Sequence, residues 1–304
     1  NGTIKLDGNY PTGTDNVALG DTALDSGSLS GGCNVAIGKA SMTTNTSGTK
    51  NVAIGRQSMN NNTTGGSNVA LGDQALFSNI SASGNTAVGK DALGVNTTGD
   101  NNTAVGITSL QANTTGTNNV AVGRCALYSN TTAADNTAVG VSALLSNTTG
   151  CRNTAVGQQA LKSNTEGDAN VALGFHALCS NTTADKNTAV GFCSLKTNTT
   201  GYENTAMGRC ALNSNTEGFQ NTGLGSMSLS LNTTGDCNVA IGHQALSRNT
   251  TADNNTAVGK DSLRCNTTGG DNVAVGKDAL DANTTASDNT AVGKDALGAN
   301  TTGS

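Results

Sequence analysis

The sequence is poor in aromatic and charged residues. It contains no Trp, 3 Tyr and 4 Phe, and charged residues make up 12% of the chain, about half of the usual share. A conventional core of large side chains is therefore excluded, and Ala, Val, Leu, Thr and Asn take their place. Disordered chains are rich in charge and Pro, whereas this chain has only 1 Pro, so disorder is a poor explanation as well.

Three further absences narrow the range of functions. No apolar run approaches the roughly 18 residues of a transmembrane helix, so we expect no membrane insertion by this segment. The net charge is −5 and the pI is about 4.9; since a nucleic-acid-binding protein needs a basic face, we expect no nucleic-acid partner. The 8 Cys show no Cys-x-x-Cys motif and no regular spacing, so neither a zinc site nor a disulfide framework is predicted.

What the sequence does contain is one phrase repeated along its length. Asn-Thr/Val-Ala-Val/Ile/Leu-Gly begins at Asn16, recurs 18 residues later at Asn34, and then returns every 17 residues, with small variations, as far as Asn289. Self-similarity at a fixed short period is the signature of a solenoid. We therefore divide the chain into a lead-in segment, residues 1–15, and a solenoid of seventeen coils, residues 16–304.

Each coil has fixed and variable positions, numbered here from its first Asn. Position 5 is always Gly, position 8 is Ala or Ser, and position 9 is Leu except for Met42 and Met59. Position 12 is Asn in every coil but the first, and position 15 is Gly or Ala wherever the 17-residue spacing holds. Positions 6, 7, 10, 11, 16 and 17 vary much more, and we expect their side chains to project outward.

The spacing inside the coil is that of β-strands, in which positions 2 and 4 share one face and position 3 lies on the other. We predict two short strands per coil, with corners at position 15 and at the Gly of position 5, as in Gly174, Gly191 and Gly208. Parallel strands roughly 4.7–4.9 Å apart would give a rod on the order of 80 Å long. We expect positions 4 and 9 to fill the interior, and the Ala of position 3 to form a face against which another backbone packs.

Two columns of Asn run through the repeat, at positions 1 and 12, and include Asn187, Asn198, Asn204 and Asn215. We predict structural ladders in which each amide donates to the coil on one side and accepts from the other. Most position-12 Asn residues also begin Asn-x-Ser/Thr sequons. Because glycans on adjacent coils would crowd one another, we favour the ladder over glycosylation.

The phrase Asn-Thr/Val-Ala-Val-Gly-x-x-Ala/Ser resembles the head repeat of YadA-like trimeric autotransporter adhesins, in which Asn-Ser-Val-Ala-Ile-Gly-x-x-Ser recurs. The longer form, ending in Asn-Thr-Thr-Gly, is similar to repeats of phage tail-fibre proteins. The resemblance covers residues 16–304. It implies an all-β, left-handed parallel β-roll solenoid that assembles as a homotrimeric rod.

The chain departs from that family in several ways. The adhesin repeat is about 14 residues long, so the segment around Asn198 resembles a lengthened second turn. We expect no stalk heptads, membrane-anchor barrel or signal peptide within this sequence. We interpret the sequence as a piece of a longer fibre.

The cysteines fall at variable positions, and only Cys193 and Cys210 share a position in consecutive coils, where a bridge would be strained. Scattered thiols favour assembly in a reducing cytosol, as for a viral fibre. His176 and His243 lie in distant coils and cannot form one site, so no catalytic constellation is predicted. The full set of cysteines is Cys33, Cys125, Cys151, Cys179, Cys193, Cys210, Cys237 and Cys265.

Two surface patterns remain. Lys-Asp pairs recur at positions 6 and 7, as in Lys277-Asp278, and indicate a solvated face. Four of the seven aromatic residues fall within three neighbouring coils, either as a platform for a sugar or receptor or through drift of a variable surface. They are Phe175, Phe192, Tyr202 and Phe219.

The leading hypothesis is a structural fibre segment for attachment to a host or cell surface, a phage or viral tail fibre located on the virion. The alternatives are a bacterial trimeric adhesin head at the cell surface, an ice-binding solenoid, and a self-assembling extracellular filament. The expected partners are two further copies of the chain and a host or cell-surface glycan or protein receptor. We predict no enzyme activity, no cofactor and no metal site.

Overall fold

The computed structural model describes residues 13–303, so the predicted lead-in segment is represented only by residues 13–15. The chain divides into two compact units, residues 1–152 and residues 153–304. Both consist of short parallel strands joined by turns, and no helix occurs in residues 13–303. Their seventeen short strands, one per coil, correspond to about 16 full coils of 17 residues. The prediction of an all-β parallel solenoid with this repeat is confirmed.

The first unit contains eight strands of three residues, each formed by positions 2–4 of a coil. Consecutive strands pair in parallel and in register, so that each residue lies beside the residue at the same position of the next coil. The strands are β1 (Val17–Leu19), β2 (Val35–Ile37), β3 (Val52–Ile54), β4 (Val69–Leu71), β5 (Thr86–Val88), β6 (Thr103–Val105), β7 (Val120–Val122) and β8 (Thr137–Val139).

The second unit repeats this arrangement with nine strands. Val190 of one strand, for example, lies beside Met207 of the next. The strands are β9 (Thr154–Val156), β10 (Val171–Leu173), β11 (Thr188–Val190), β12 (Thr205–Met207), β13 (Thr222–Leu224), β14 (Val239–Ile241), β15 (Thr256–Val258), β16 (Val273–Val275) and β17 (Thr290–Val292).

The interior is filled by small residues and one larger side chain per coil. Ala189 at position 3 and Leu195 at position 9 are completely buried, whereas Val190 at position 4 is partly exposed. The expectation that position 4 lies inside and position 3 outside is therefore wrong. The interior is narrow enough that the methyl group of Ala fills the strand side, because the Leu of position 9 occupies the remaining space.

The half of the coil opposite the strand is made of turns. Cys193 and Leu195, at positions 7 and 9, have φ values of 54° and 48°, in the left-handed region. Their amides still bond to neighbouring coils, Cys193 to the carbonyl of Phe175 at 3.0 Å and Leu195 to that of Ala211 at 3.0 Å. The predicted second strand is therefore wrong for the described coils, since hydrogen-bonded left-handed turns replace it.

The Gly of position 5 forms the corner that follows each strand. The φ values of Gly174, Gly191 and Gly208 are 138°, 134° and 144°, a region that L side chains rarely adopt. A Cβ on Gly191 would also lie 2.6 Å from the carbonyl oxygen of Gly208 in the next coil. Backbone conformation and close stacking thus both require Gly at this corner.

The position-12 Asn residues form a continuous ladder between side chains in the second unit. The Nδ2 of Asn198 donates to Oδ1 of Asn181 at 3.0 Å, and the Nδ2 of Asn215 donates to Oδ1 of Asn198 at 2.8 Å. These side chains are fully buried. Because each amide is enclosed and already bonded on both sides, the sequons that begin at this column offer no accessible nitrogen to a glycan.

The position-1 column is a ladder of a different kind, in which side chains bond mainly to backbone groups. The backbone amide of Asn204 donates to Oδ1 of Asn187 at 3.0 Å. The Nδ2 of Asn187 donates to the carbonyl oxygen of Gly201 at 2.8 Å, and this oxygen also accepts the Nδ2 of Asn198 at 2.7 Å. The two Asn columns therefore meet at the carbonyl of position 15.

Candidate functional site

The outward face of the strands carries a row of apolar side chains. In the second unit, Leu173 and Met207 at position 4 are 46% and 45% exposed, and Val171 at position 2 is also exposed. Ile54 and Val105 occupy the same face in the first unit. Contiguous apolar surface on a soluble protein marks a binding site more often than isolated exposed residues do. The sequence analysis missed this face because it assigned position 4 to the interior.

The first aromatic pair lies at position 6, immediately after the corner Gly. The rings of Phe175 and Phe192 stack with their centroids 5.4 Å apart and 9° between their planes. The ring of His176 stacks on Phe175 at 4.0 Å. Phe192 is 52% exposed. The ring of Phe175 therefore stacks with both Phe192 and the imidazole of His176, and Phe192 is the more exposed member of the pair.

The second aromatic pair lies at position 16, just before the strand. The rings of Tyr202 and Phe219 are 4.9 Å apart and parallel within 1°. The backbone amide of Phe219 donates to Oδ1 of Asp236 in the following coil at 2.8 Å. Burial raises the pKa of Asp236, and the neighbouring charge of Asp253 raises it further, against the opposite effect of this hydrogen bond.

The two pairs lie at opposite ends of neighbouring strands in the second unit. Position 6 follows the strand of its own coil, and position 16 precedes the strand of the next coil. We call this surface the aromatic patch. Its members are the two stacked pairs, Phe175 with Phe192 and Tyr202 with Phe219.

Position 16 has a structural role that the sequence analysis did not recognise. Asp253 accepts the backbone amide of Asp236 at 2.8 Å, and Asp100 accepts that of Ser83 at 2.7 Å. The Oγ of Ser287 accepts the amide of Gly270 at 3.1 Å in the same way. A short side chain with an oxygen acceptor thus satisfies the amide one coil earlier. The recurrence of Asp and Ser at this position was the available signal.

The Lys-Asp pairs bond within a coil. Nζ of Lys277 lies 2.6 Å from Oδ2 of Asp278, and the pair Lys260–Asp261 is 3.1 Å apart. The hydrogen bond from Lys277 lowers the pKa of Asp278, and the same bond raises the pKa of Lys277. Because the lysine side chains remain exposed, this arrangement is a solvated charged surface.

The remaining reactive side chains do not converge. Burial lowers the pKa of His176, and Lys196 and Lys162 lower it further; His243 lies four coils away. Within residues 13–303, no group of three or more His, Cys, Asp and Glu side chains is placed to hold a metal ion. Seven cysteines have free thiols: Cys33, Cys125, Cys179, Cys193, Cys210, Cys237 and Cys265.

The sulfur of Cys151 lies 3.5 Å from the backbone amide of Ala134, at the position where other coils use Asp or Ser.

The described part of the chain contains no helix that is long and apolar enough to cross a membrane.

No model of a known protein family matches the chain, and no curated protein matches it at a significant level. What the chain does is therefore inferred from its own surfaces.

Proposed function

We propose that the chain is a structural segment of an attachment fibre, a phage or viral tail fibre located on the virion. In this proposal the coils form a left-handed roll, and three chains assemble around a common axis. The observation that carries it is the outward strand face, where apolar side chains such as Leu173 and Met207 remain exposed in the single chain. Burial of such side chains stabilises association by roughly 25 cal/mol per Å².

The alternative with the same architecture is the head of a bacterial surface adhesin. The free thiols support the fibre, because proteins that cross an oxidising compartment rarely keep so many unpaired cysteines. The ice-binding alternative has less support. The position-13 threonine hydroxyls, such as that of Thr199, donate to the carbonyl of the next coil, here Thr216 at 3.0 Å, so their one donor is not available to water.

We assign host contact to the aromatic patch. Its rings stack in pairs, and each pair has a well-exposed member, Phe192 in one and Tyr202 in the other. Aromatic residues are enriched at the centres of protein interfaces, where they combine large contact area with few rotatable bonds. A protein or glycan receptor with an apolar, hydrogen-bonding surface suits this patch.

Binding of the fluorescently labelled chain to intact bacterial cells tests the assignment. We expect the double variant Phe192→Ala, Tyr202→Ala to lose most of the cell-bound signal, because each ring is an exposed member of its pair. Ile107→Ala is the matched control, since Ile107 occupies position 6 in the first unit and is 54% exposed. Unchanged binding by the double variant would refute the assignment of host contact to the aromatic patch. Failure of the unaltered chain to bind any cell type would contradict a role in attachment.

A further inference from the structure

Four successive coils of the second unit carry side chains with soft or nitrogen donor atoms at position 7. They are His176, Cys193, Cys210 and Met227. Each backbone amide donates to the position-6 carbonyl of the preceding coil, at 3.1 Å for His176, 3.0 Å for Cys193 and 2.9 Å for both Cys210 and Met227. The four residues therefore stack in register, one per coil. We call this set the position-7 column.

Side chains at position 7 reach their neighbours in adjacent coils. The Oγ1 of Thr108 lies 3.3 Å from Sγ of Cys125, and the Nε2 of Gln74 donates to Oε1 of Gln57 at 3.2 Å. Both pairs occupy position 7 of consecutive coils. Residues at this position thus point the same way, with a separation close to the spacing of parallel strands, about 4.7–4.9 Å.

Within the position-7 column, the sulfur atoms are better placed than the imidazole to bind one ion together. Cys193 is only 8% exposed, and Cys210 is partly buried beside it. Nη2 of Arg209 lies 3.7 Å from Sδ of Met227, so the thioether reaches back to the coil that contains Cys210. The ring of His176 instead stacks on Phe175.

We propose that Cys193 and Cys210, assisted by the thioether of Met227, bind one soft monovalent cation of the Cu(I) class. Two metal–thiolate bonds in a line, each about as long as the roughly 2.3 Å of a zinc–thiolate bond, would span about 4.6 Å, close to the coil spacing of about 4.7–4.9 Å. Thiolate and thioether sulfurs select Cu(I) over harder ions. Such a site needs only the two thiolates, with the thioether as a weaker additional contact, which is compatible with the lack of any larger His, Cys, Asp and Glu cluster in residues 13–303.

Binding is coupled to proton release. One M⁺ ion and two thiols give a complex with two metal–sulfur bonds and a net charge of −1, and two protons pass to the solvent. The guanidinium of Arg209, next to Met227, offsets the negative charge of the complex.

The test is a Cu(I) titration of the full chain, anaerobic and reduced with a phosphine, against a colorimetric Cu(I) chelator. We expect one tightly held Cu(I) per chain. Cys193→Ser and Cys210→Ser should each weaken it by at least about tenfold, and Met227→Leu should weaken it less without changing the stoichiometry. Cys125→Ser is the matched control, since Cys125 occupies position 7 between Thr108 and Ser142 and should have no effect.

Circular dichroism of each variant without metal establishes that the fold is kept. Since Ser is native at variable positions of the repeat, both substitutions should fold. Equal Cu(I) retention by Cys193→Ser and the unaltered chain would overturn the proposal. Copper distributed evenly over many cysteines, with each variant losing a similar small share, would overturn it as well.

Discussion

Asn198 donates its side-chain amide to the carbonyl oxygen of Gly201, three residues ahead, at 2.7 Å. The same Asn is bonded to Asn181 and Asn215 in the coils on either side. One side chain therefore closes the turn of its own coil and joins three coils together. This double role explains why position 12 tolerates only Asn in all coils with the 17-residue spacing.

Replacement of Asn198 by Ala should destabilise the second unit strongly. It removes the donor to Asn181 and the acceptor of Asn215 inside a fully buried column. Two buried polar groups left without hydrogen-bond partners lower the free energy of unfolding by about 2–5 kcal/mol together. A lower midpoint of urea denaturation measures this loss. Thr200→Ala, at an exposed neighbouring position, should change stability by less than about 0.5 kcal/mol. Equal effects of the two variants would contradict the ladder.

Asn198→Asp should make stability depend on pH in a defined direction. The ionised carboxylate faces two acceptors, Oδ1 of Asn181 and the carbonyl of Gly201, whereas the protonated acid regains one donor. Folding therefore favours the protonated form, so the variant should approach the unaltered chain at acidic pH and lose stability as pH rises. Denaturation midpoints at pH 4 and pH 7 measure this, and the opposite trend would count against the assigned bond directions.

The two small-residue positions should respond differently to Ala. Gly191→Ala combines an unfavourable φ with a close approach to Gly208, and the backbone strain alone costs about 1–3 kcal/mol. A Cβ on Gly201, at position 15, would lie 2.3 Å from the carbonyl oxygen of Gly218, but its φ is not in the left-handed region and other coils accommodate Ala there, such as Ala184. Gly201→Ala should therefore cost less than Gly191→Ala. Thermal denaturation of both variants compares them. A larger loss for Gly201→Ala would contradict the assignment of the greater backbone strain to position 5.

Gly223 is the single position-3 residue that is not Ala, and its replacement by Ala should stabilise the second unit. The added Cβ would lie 3.1 Å from Oγ of Ser228 and 3.5 Å from Leu212. Another coil already combines Ala189 with Ser194, so the hydroxyl has room to adjust. Reduced entropy of the unfolded chain gives about 0.4–1 kcal/mol. A lower denaturation midpoint would mean that the Ser228 hydroxyl cannot move.

The sequence was sufficient to predict the period, the parallel stacking and the corner at residues such as Gly191. It could not assign inside and outside correctly, because alternation in a three-residue strand fits either orientation. Side-chain volume determines which strand face lies inside, since Leu195 fills the narrow interior and leaves space only for Ala189. The prediction of a second strand was wrong because Cys193 and Leu195 adopt left-handed φ values. The intrinsic backbone preferences of Cys and Leu disfavour this conformation, so the sequence did not indicate it.

The candidate surfaces were predicted in part. The aromatic residues were identified by their repeat positions, and stacking of Phe175 on Phe192 follows from the in-register spacing. The exposed strand face was missed together with the orientation of position 4. The acceptor role of Asp236 depends on an amide of the preceding coil, a relationship that the repeat alignment shows only once the turn geometry is known.

The most direct test of the proposed fibre is the solution mass of the chain, measured by light scattering on a sizing column under reducing conditions. We predict three times the chain mass of 30.0 kDa, and a shift toward one chain when Leu173 and Met207 on the outward strand face are both replaced by Lys. A single chain mass for the unaltered protein would contradict the trimer, and with it the fibre and adhesin assignments.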